Sequence, residues 1–293
     1  MSSFSARLAD ATRSLGDAGI SIARGGWLTA RRGVAGAALG TRGLVARRRG
    51  AGAMLGVGIA RLLVQLPADA FILLVARVLS GLQTALGLEP LARALDDDER
   101  ALMTRVFGDG IDVRRVRLKP GRHLLHLPRL AFVIGNTVHL PARSRRGADG
   151  KQAPAGSFAR RAPALLVHEL THVWQHQHHG TRYLSECLLA QWVGEGYNVA
   201  VALEASRGWE QLNFEQQAEL LGRAYAARWF DGDGDASDGR RLLLRLSDPK
   251  SDDGFDVAVV PPAEAEELLA GGWRDATPLL REGLAAVRAP LRR

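Results

Sequence analysis

Several things are scarce in this chain, and each scarcity excludes something. There is one cysteine, Cys187, so no internal disulfide can support the fold. A reducing cytoplasm is compatible with that, and so is export. Only Lys119, Lys151 and Lys250 are lysines; the basic residues are otherwise arginines, a bias that fits the abundance of Ala and Gly as coding composition. No run of 18 uncharged apolar residues occurs, which argues against a membrane-spanning helix. Residues 1–30 are broken by charges and lack the compact apolar centre of a signal peptide. No internal repeat is evident. What is present is a 293-residue chain, 46% hydrophobic, long enough for one sizeable core or two small ones.

The net charge of +8 is unevenly placed. Residues 1–50 carry nine arginines against Asp10 and Asp17, a net of +7, which leaves about +1 for everything after them. A basic head of this kind can touch phosphate, in nucleic acid or on an anionic membrane. No aromatic interleaving or nucleic-acid motif accompanies it. The expectation is therefore a solvated, partly disordered head, with Arg47, Arg48 and Arg49 at its end. Residues 51–97 differ. They carry few charges, and Pro67 divides them into two apolar helices, read as a hairpin covering the domain after it rather than as a membrane-active segment. The acidic run DDDER at 96–100 then opens a helix.

The most specific signal is HELTHVWQHQ at 168–177, after the apolar lead-in APALLV. It contains H-E-x-x-H. Residues four apart on a helix are nearly one turn apart, so His168 and His172 project from one face. That spacing lets two imidazoles hold one tetrahedral Zn²⁺ at about 2.0–2.1 Å each. Glu169 lies about 100° round the axis, placed to act as a general base without ligating. Leu166, Leu170 and Val173 fall on the opposite face and bury the helix, which Pro163 opens. The competing reading is a solvated histidine-rich helix face, since five-residue matches arise by chance.

A third ligand is needed. His178 stands at the third-histidine position of H-E-x-x-H-x-x-G-x-x-H, but Gln175 replaces the glycine that would turn the chain back. That class also needs a downstream methionine, and Met1, Met54 and Met103 all lie upstream. His176 is about 12 Å along the axis from His168, too far to share an ion. His176, His178 and His179 read as a polar helix end. Two glutamates remain. Glu195 lies in QWVGEGYNVA, where flanking glycines weaken a firm helical position. Glu215 lies in LNFEQQAELLGRAYAARWF (212–230), an amphipathic helix that Asn213 can cap, with Glu219 one turn on. Both glutamates could equally be surface carboxylates.

IDVRRVRL and LAFVI are β-prone, and Gly135–Asn136 form a two-residue hairpin turn into TVHL. This 130–140 hairpin is the candidate edge for pairing with an extended peptide. The loop 143–157 is polar and Gly-rich. DGDGDASDG at 231–239 lacks the sixth-place Gly and twelfth-place Glu of a calcium loop, with Leu242 at the latter, and reads as an acidic linker. Helices are expected at 262–270 and 276–288.

Four segments in this order, VFGDGIDVRRVRL (106–118), FVIGNTVHLP (132–141), LLVHELTHVWQ (165–175) and NFEQQAELL (213–221), resemble the zincin-like domain associated with bacterial contractile injection systems. That family includes phage-spike-related proteins. The resemblance covers roughly 98–230. It implies an α+β, helix-rich metallopeptidase-like domain of the gluzincin type, with a small antiparallel sheet. It implies His168 and His172 as ligands and Glu169 as base. Its last block favours Glu215 over Glu195 as third ligand, and Glu219 as the acid that orients the first histidine. The expected organisation is a basic head at 1–50, an apolar helical hairpin at 51–97, the zincin-like domain at 98–230, and an acidic linker with a helical extension at 231–293.

Two function classes are compatible with these features. One is a zinc metalloendopeptidase with Zn²⁺ as cofactor, a peptide or protein as substrate and Glu169 as base. The other is a non-catalytic, metal-stabilised cargo or adaptor module of an injection apparatus. The intact Glu169 favours the enzyme, because a structural site has no need of it. The expected location is the bacterial cytoplasm, with export by a contractile injection system and contact with its components implied by the resemblance.

Overall fold

The computed structural model describes residues 4–46, 50–121, 131–141, 157–231, 239–246 and 255–291. In chain order the elements begin with α1 (Phe4–Val45), α2 (Ala51–Ala60), α3 (Leu66–Ala85) and α4 (Asp97–Phe107). Strands β1 (Arg117–Gly121), β2 (Phe132–Ile134) and β3 (Thr137–Pro141) come next. Helices α5 (Phe158–Arg161), α6 (Pro163–His179), α7 (Arg182–Val193), α8 (Val199–Glu204) and α9 (Phe214–Ala226) succeed them. The chain continues through β4 (Arg241–Leu246), β5 (Phe255–Val260), α10 (Pro262–Ala270), β6 (Arg274–Asp275) and α11 (Thr277–Arg288). The class is α+β and helix-rich, as expected. Two compact units divide the chain.

The first unit comprises Met1–Ala94, Val116–Arg143 and Gln175–Glu186. Its head departs from the sequence reading. Residues 4–45 form one helix instead of a partly disordered segment, because Ala11, Ala18, Gly25, Gly33 and Gly40 recur along one face and bury against neighbours. Arg47, Arg48 and Arg49 lie outside the described residues. The second departure is at Pro67, which does not divide the apolar segment. A π turn at Arg61–Gln65, in which Leu66 N donates to the Arg61 carbonyl, joins α2 to α3, and Pro67 falls in the first turn of α3, so Ala51–Ala85 runs as one continuous helix. The hairpin is therefore made by α1 against α2–α3. Arg61 breaks the strict count of uncharged residues, yet Ala51–Ala85 is long and apolar enough to cross a membrane by length and composition.

The small sheet of this unit has the order β1-β3-β2, with β3 parallel to β1 and antiparallel to β2. The expected Gly135–Asn136 turn joins β2 to β3. Gly135 has φ 60°, the backbone a type II′ hairpin asks of its first turn residue. The Tyr183 hydroxyl accepts from Gly135 N at 2.8 Å and donates to Val133 O at 3.0 Å, pinning the hairpin. Lys119 on β1 is buried with its ammonium 2.9 Å from Glu89, and it also donates to Ser80 and Thr84. Arg77, also buried, donates to Ser14, Thr137 and the Ile134 carbonyl.

The second unit comprises Leu95–Arg115, Ser144–Trp174 and Cys187–Arg293. Helix α4 starts with a capping box between Asp96 and Glu99, and the other Glu99 oxygen accepts from Phe158 N at 3.0 Å. Leu166, Leu170 and Val173 of α6 are fully buried, as expected for the face opposite the motif; burial of each contributes about 1.5–3 kcal/mol. The C-terminal part is more than a linker with helices. Helices occur at the expected α10 and α11, but β4, β5 and β6 form an antiparallel sheet that the sequence reading missed. The centre of β4, Leu242–Leu243–Leu244, is apolar on both faces and fully buried, so it shows no alternation. Helix α11 packs close: a Cβ on Gly283 would lie 2.6 Å from the Trp209 ring, and Glu282 accepts from Trp209 N. Most of the acidic run 231–239 and of the loop 143–157 lies outside the described residues.

Candidate metal centre

The centre lies in the second unit, on α6 and α9. Asn213 caps α9 as expected: its side chain accepts from Gln216 N at 2.8 Å, and Gln216 closes the capping box. The cap starts the helix one residue before Glu215, which fixes Glu215 in the first turn and Glu219 one turn later on the same face. Gly222 brings the two helices together. A Cβ there would sit 3.1 Å from the Ala164 carbonyl and 3.4 Å from His168 Cβ, so the helices meet in close contact with no room to spare for a side chain.

Three donor atoms converge. His168 Nε2 is 3.3 Å from His172 Nε2 and 3.6 Å from Glu215 Oε2, and His172 Nε2 is 3.4 Å from that oxygen. Ligands about 2.05 Å from a tetrahedral zinc are separated by about 3.3–3.4 Å, the bond length times 1.63. The observed triangle matches that edge. Glu215 Oε2 is a buried acceptor with no hydrogen-bond donor, whereas Glu215 Oε1 accepts from Gln191 Nε2 at 2.8 Å. The carboxylate is thus oriented by one oxygen and left open at the other. His168, His172 and Glu215 are also the one such trio of potential ligands among the described residues. Two imidazole nitrogens and one carboxylate are the donor set of a zinc site with one position left for water or substrate.

Around the donors, Glu219 Oε2 lies 3.3 Å from His168 Nδ1, and Glu219 Oε1 accepts from Arg223 at 2.6 Å. This is the carboxylate–histidine contact that sets a ligand's tautomer and ring orientation. Cys187 Sγ stands 3.7 Å from His172 Nδ1. Glu169 is buried and its Oε2 has no hydrogen-bond partner.

The electrostatics favour a cation. Burial opposes charge on His168, but the neighbouring carboxylates of Glu215 and Glu219, with the charge of Glu169, override it and raise its pKa to about 10. Burial likewise pushes Glu215 up, yet His172 and His168 hold it well below the usual carboxylate range. The cluster stabilises positive charge in a protein interior, and a metal ion competes with the proton for that place. Glu169 behaves differently: burial raises its pKa more than the two histidines lower it. A carboxyl tuned upward is a better proton acceptor.

The other sequence candidates lie elsewhere. Glu195 pairs with Arg207 at 2.5 and 2.8 Å and accepts from Gln216 Nε2, so it buttresses the α9 cap. His176 belongs to the first unit, buried with its Nε2 3.2 Å from Ser21 Oγ, so it is a packed residue rather than part of a polar helix end. His179 Nδ1 lies 3.1 Å from an Arg32 nitrogen.

Two residues escaped the sequence reading. Gln191 bridges Glu215 and the Tyr197 hydroxyl, at 2.8 and 2.9 Å. The Tyr197 ring lies 5.8 Å from that of His168, and burial, with the charges of Glu215 and Glu169 after it, raises its pKa, so it stays protonated. No local pattern marks either residue. The nearest signal was the GEGYN turn, which was read for Glu195 alone.

One comparison gives a relative. The chain is similar to a spike protein. It is 30% identical over 146 residues, covering 44% of this chain, to the type VI secretion system spike protein VgrG2b of Pseudomonas aeruginosa. The matched part is 12% of that protein's length, so this chain spans a small fraction of it. No protein-family model matches the chain, and no solved structure matches it.

Proposed function

We propose that this chain is a zinc metallopeptidase that works in association with a type VI or related injection apparatus. The observation that carries the reading is the triangle of His168 Nε2, His172 Nε2 and Glu215 Oε2 at tetrahedral spacing beside a buried, unbonded Glu169 oxygen. His168, His172 and Glu215 would hold zinc there, and the ion would supply Lewis acidity to a peptide carbonyl and to the attacking water. Glu169 Oε2 takes the proton of the attacking water and passes it to the leaving amine. Its upward-shifted pKa lets it hold that proton between the two steps. Glu219 accepts from His168 Nδ1 and keeps Nε2 free as a donor to the metal. Gln191 keeps the open Glu215 oxygen aimed at the histidines. Tyr197 adds a protonated hydroxyl beside the cluster, suited to donate to the negative oxygen that develops on the attacked carbonyl.

Similarity to a spike protein supports the link to an injection apparatus, and partnership with its components is part of the proposal. That similarity also favours a second reading, a metal-stabilised cargo or adaptor that does no chemistry. Glu169→Gln separates the two. It keeps size and helix propensity and removes the base. Zinc binding is expected to survive, and hydrolysis of a broad library of unstructured peptides by the full chain to fall by about 10²–10⁴-fold. Equal turnover by wild type and Glu169→Gln, or no turnover by either, would leave the adaptor reading standing.

A further inference from the structure

We propose that the α1/α2–α3 hairpin is an anionic-bilayer-binding element. Its side chains are distributed in reverse. The faces that touch are small: a Cβ on Gly40 would lie 2.4 Å from Leu55 N, one on Gly58 2.4 Å from Ala37 N, and one on Gly33 2.7 Å from Leu62. The large apolar residues point outward instead, with Trp27 65%, Leu63 71% and Phe71 67% exposed. Close backbone packing through small residues needs no hydrophobic driving force and is how helices associate in lipid. Ala51–Ala85 carries only Arg61, Asp69 and Arg77 as charges, and most of its apolar surface is exposed. The buried face of α3 carries Asp69, Arg77, Ser80, Gln83 and Thr84, while Leu63, Phe71 and Leu82 are exposed, so this helix turns polar groups inward and apolar ones outward, as a helix in contact with lipid does.

Helix α1 supplies the charge. Arg13, Arg24, Arg31 and Arg42 are spaced 11, 7 and 11 apart, each interval within about 20° of whole turns, so they form one stripe. Ile20, Trp27, Val34 and Val45 form a second stripe about 50° round the axis, and all four are exposed. Basic side chains beside an exposed tryptophan and aliphatics are the makings of an interfacial helix, with arginines at the phosphates and the ring at the boundary. A second copy of this chain fits worse, because its arginine stripe would face another. Anionic phospholipid matches both stripes.

The test is flotation of the full chain with vesicles of 70:30 phosphatidylcholine to phosphatidylglycerol, beside vesicles of phosphatidylcholine alone. Stronger binding to the anionic vesicles is expected. At about 1 kcal/mol, or fivefold, per arginine at the surface, replacing all four stripe arginines by Gln is expected to weaken binding by roughly 600-fold. Combined Trp27→Ser and Phe71→Ser, both at exposed positions, should cost at least about tenfold. As a check that needs no variant, raising salt from 0.05 to 0.5 M should weaken wild-type binding to the anionic vesicles. Failure to float with either vesicle overturns the proposal, as do variants that float like wild type. So does a concentration-dependent dimer, seen by light scattering, that blocks flotation.

Discussion

Removing Glu215 tests the centre most directly. Its Oε2 lies 3.6 and 3.4 Å from the two histidine nitrogens and completes the triangle. Apparent zinc binding at a four-ligand site is worth about 10–16 kcal/mol, so an even share is roughly 2.5–4 kcal/mol per ligand. At about 1.4 kcal/mol per decade, Glu215→Ala is expected to weaken zinc binding by about 10²–10³-fold. Glu195→Ala should leave affinity unchanged, because Glu195 is occupied by Arg207 and Gln216. The assay is competition against a chromophoric chelator, with zinc per chain counted by elemental analysis. Glu215→Gln is the folding control, since its amide keeps the volume and can still bond Gln191. Unchanged affinity in Glu215→Ala, or an equal loss in Glu195→Ala, refutes the assignment.

Wild type should carry about one zinc per chain and lose it on His168→Ala or His172→Ala, read by elemental analysis. Glu219→Gln, which disturbs the His168 Nδ1 contact, should weaken zinc by about 10–100-fold without abolishing it, in the same competition assay. Stripping with a chelator should lower the melting temperature, and zinc at 100 times its Kd should restore about 2.7 kcal/mol. Lys119→Met leaves Glu89 buried without its main cation and should cost about 3–5 kcal/mol in denaturant unfolding, with zinc content unchanged.

The sequence by itself determined the features that obey local rules. Helical spacing placed His168 and His172 on one face, and the apolar residues behind them proved buried. Asn213 announced its helix because a cap is a contact over three residues, and the acidic run at 96–100 announced another because carboxylates favour a helix start. Gly135–Asn136 announced its turn because the backbone there needs a positive φ. The tertiary structure decided the features that depend on distant segments meeting. Whether Glu215 or Glu195 faces the histidines was open in the sequence, since both lie far along the chain and each has a plausible setting. The close approach of α9 to α6 at Gly222 brings one in, and Arg207 keeps the other away. Gln191 and Tyr197 have no periodic signature, because they act through one atom each. The head was misread for a related reason. Its arginines and glycines look like a solvated tail until α2–α3 lies against the glycine face, which turns a weak helix former into a tightly packed one.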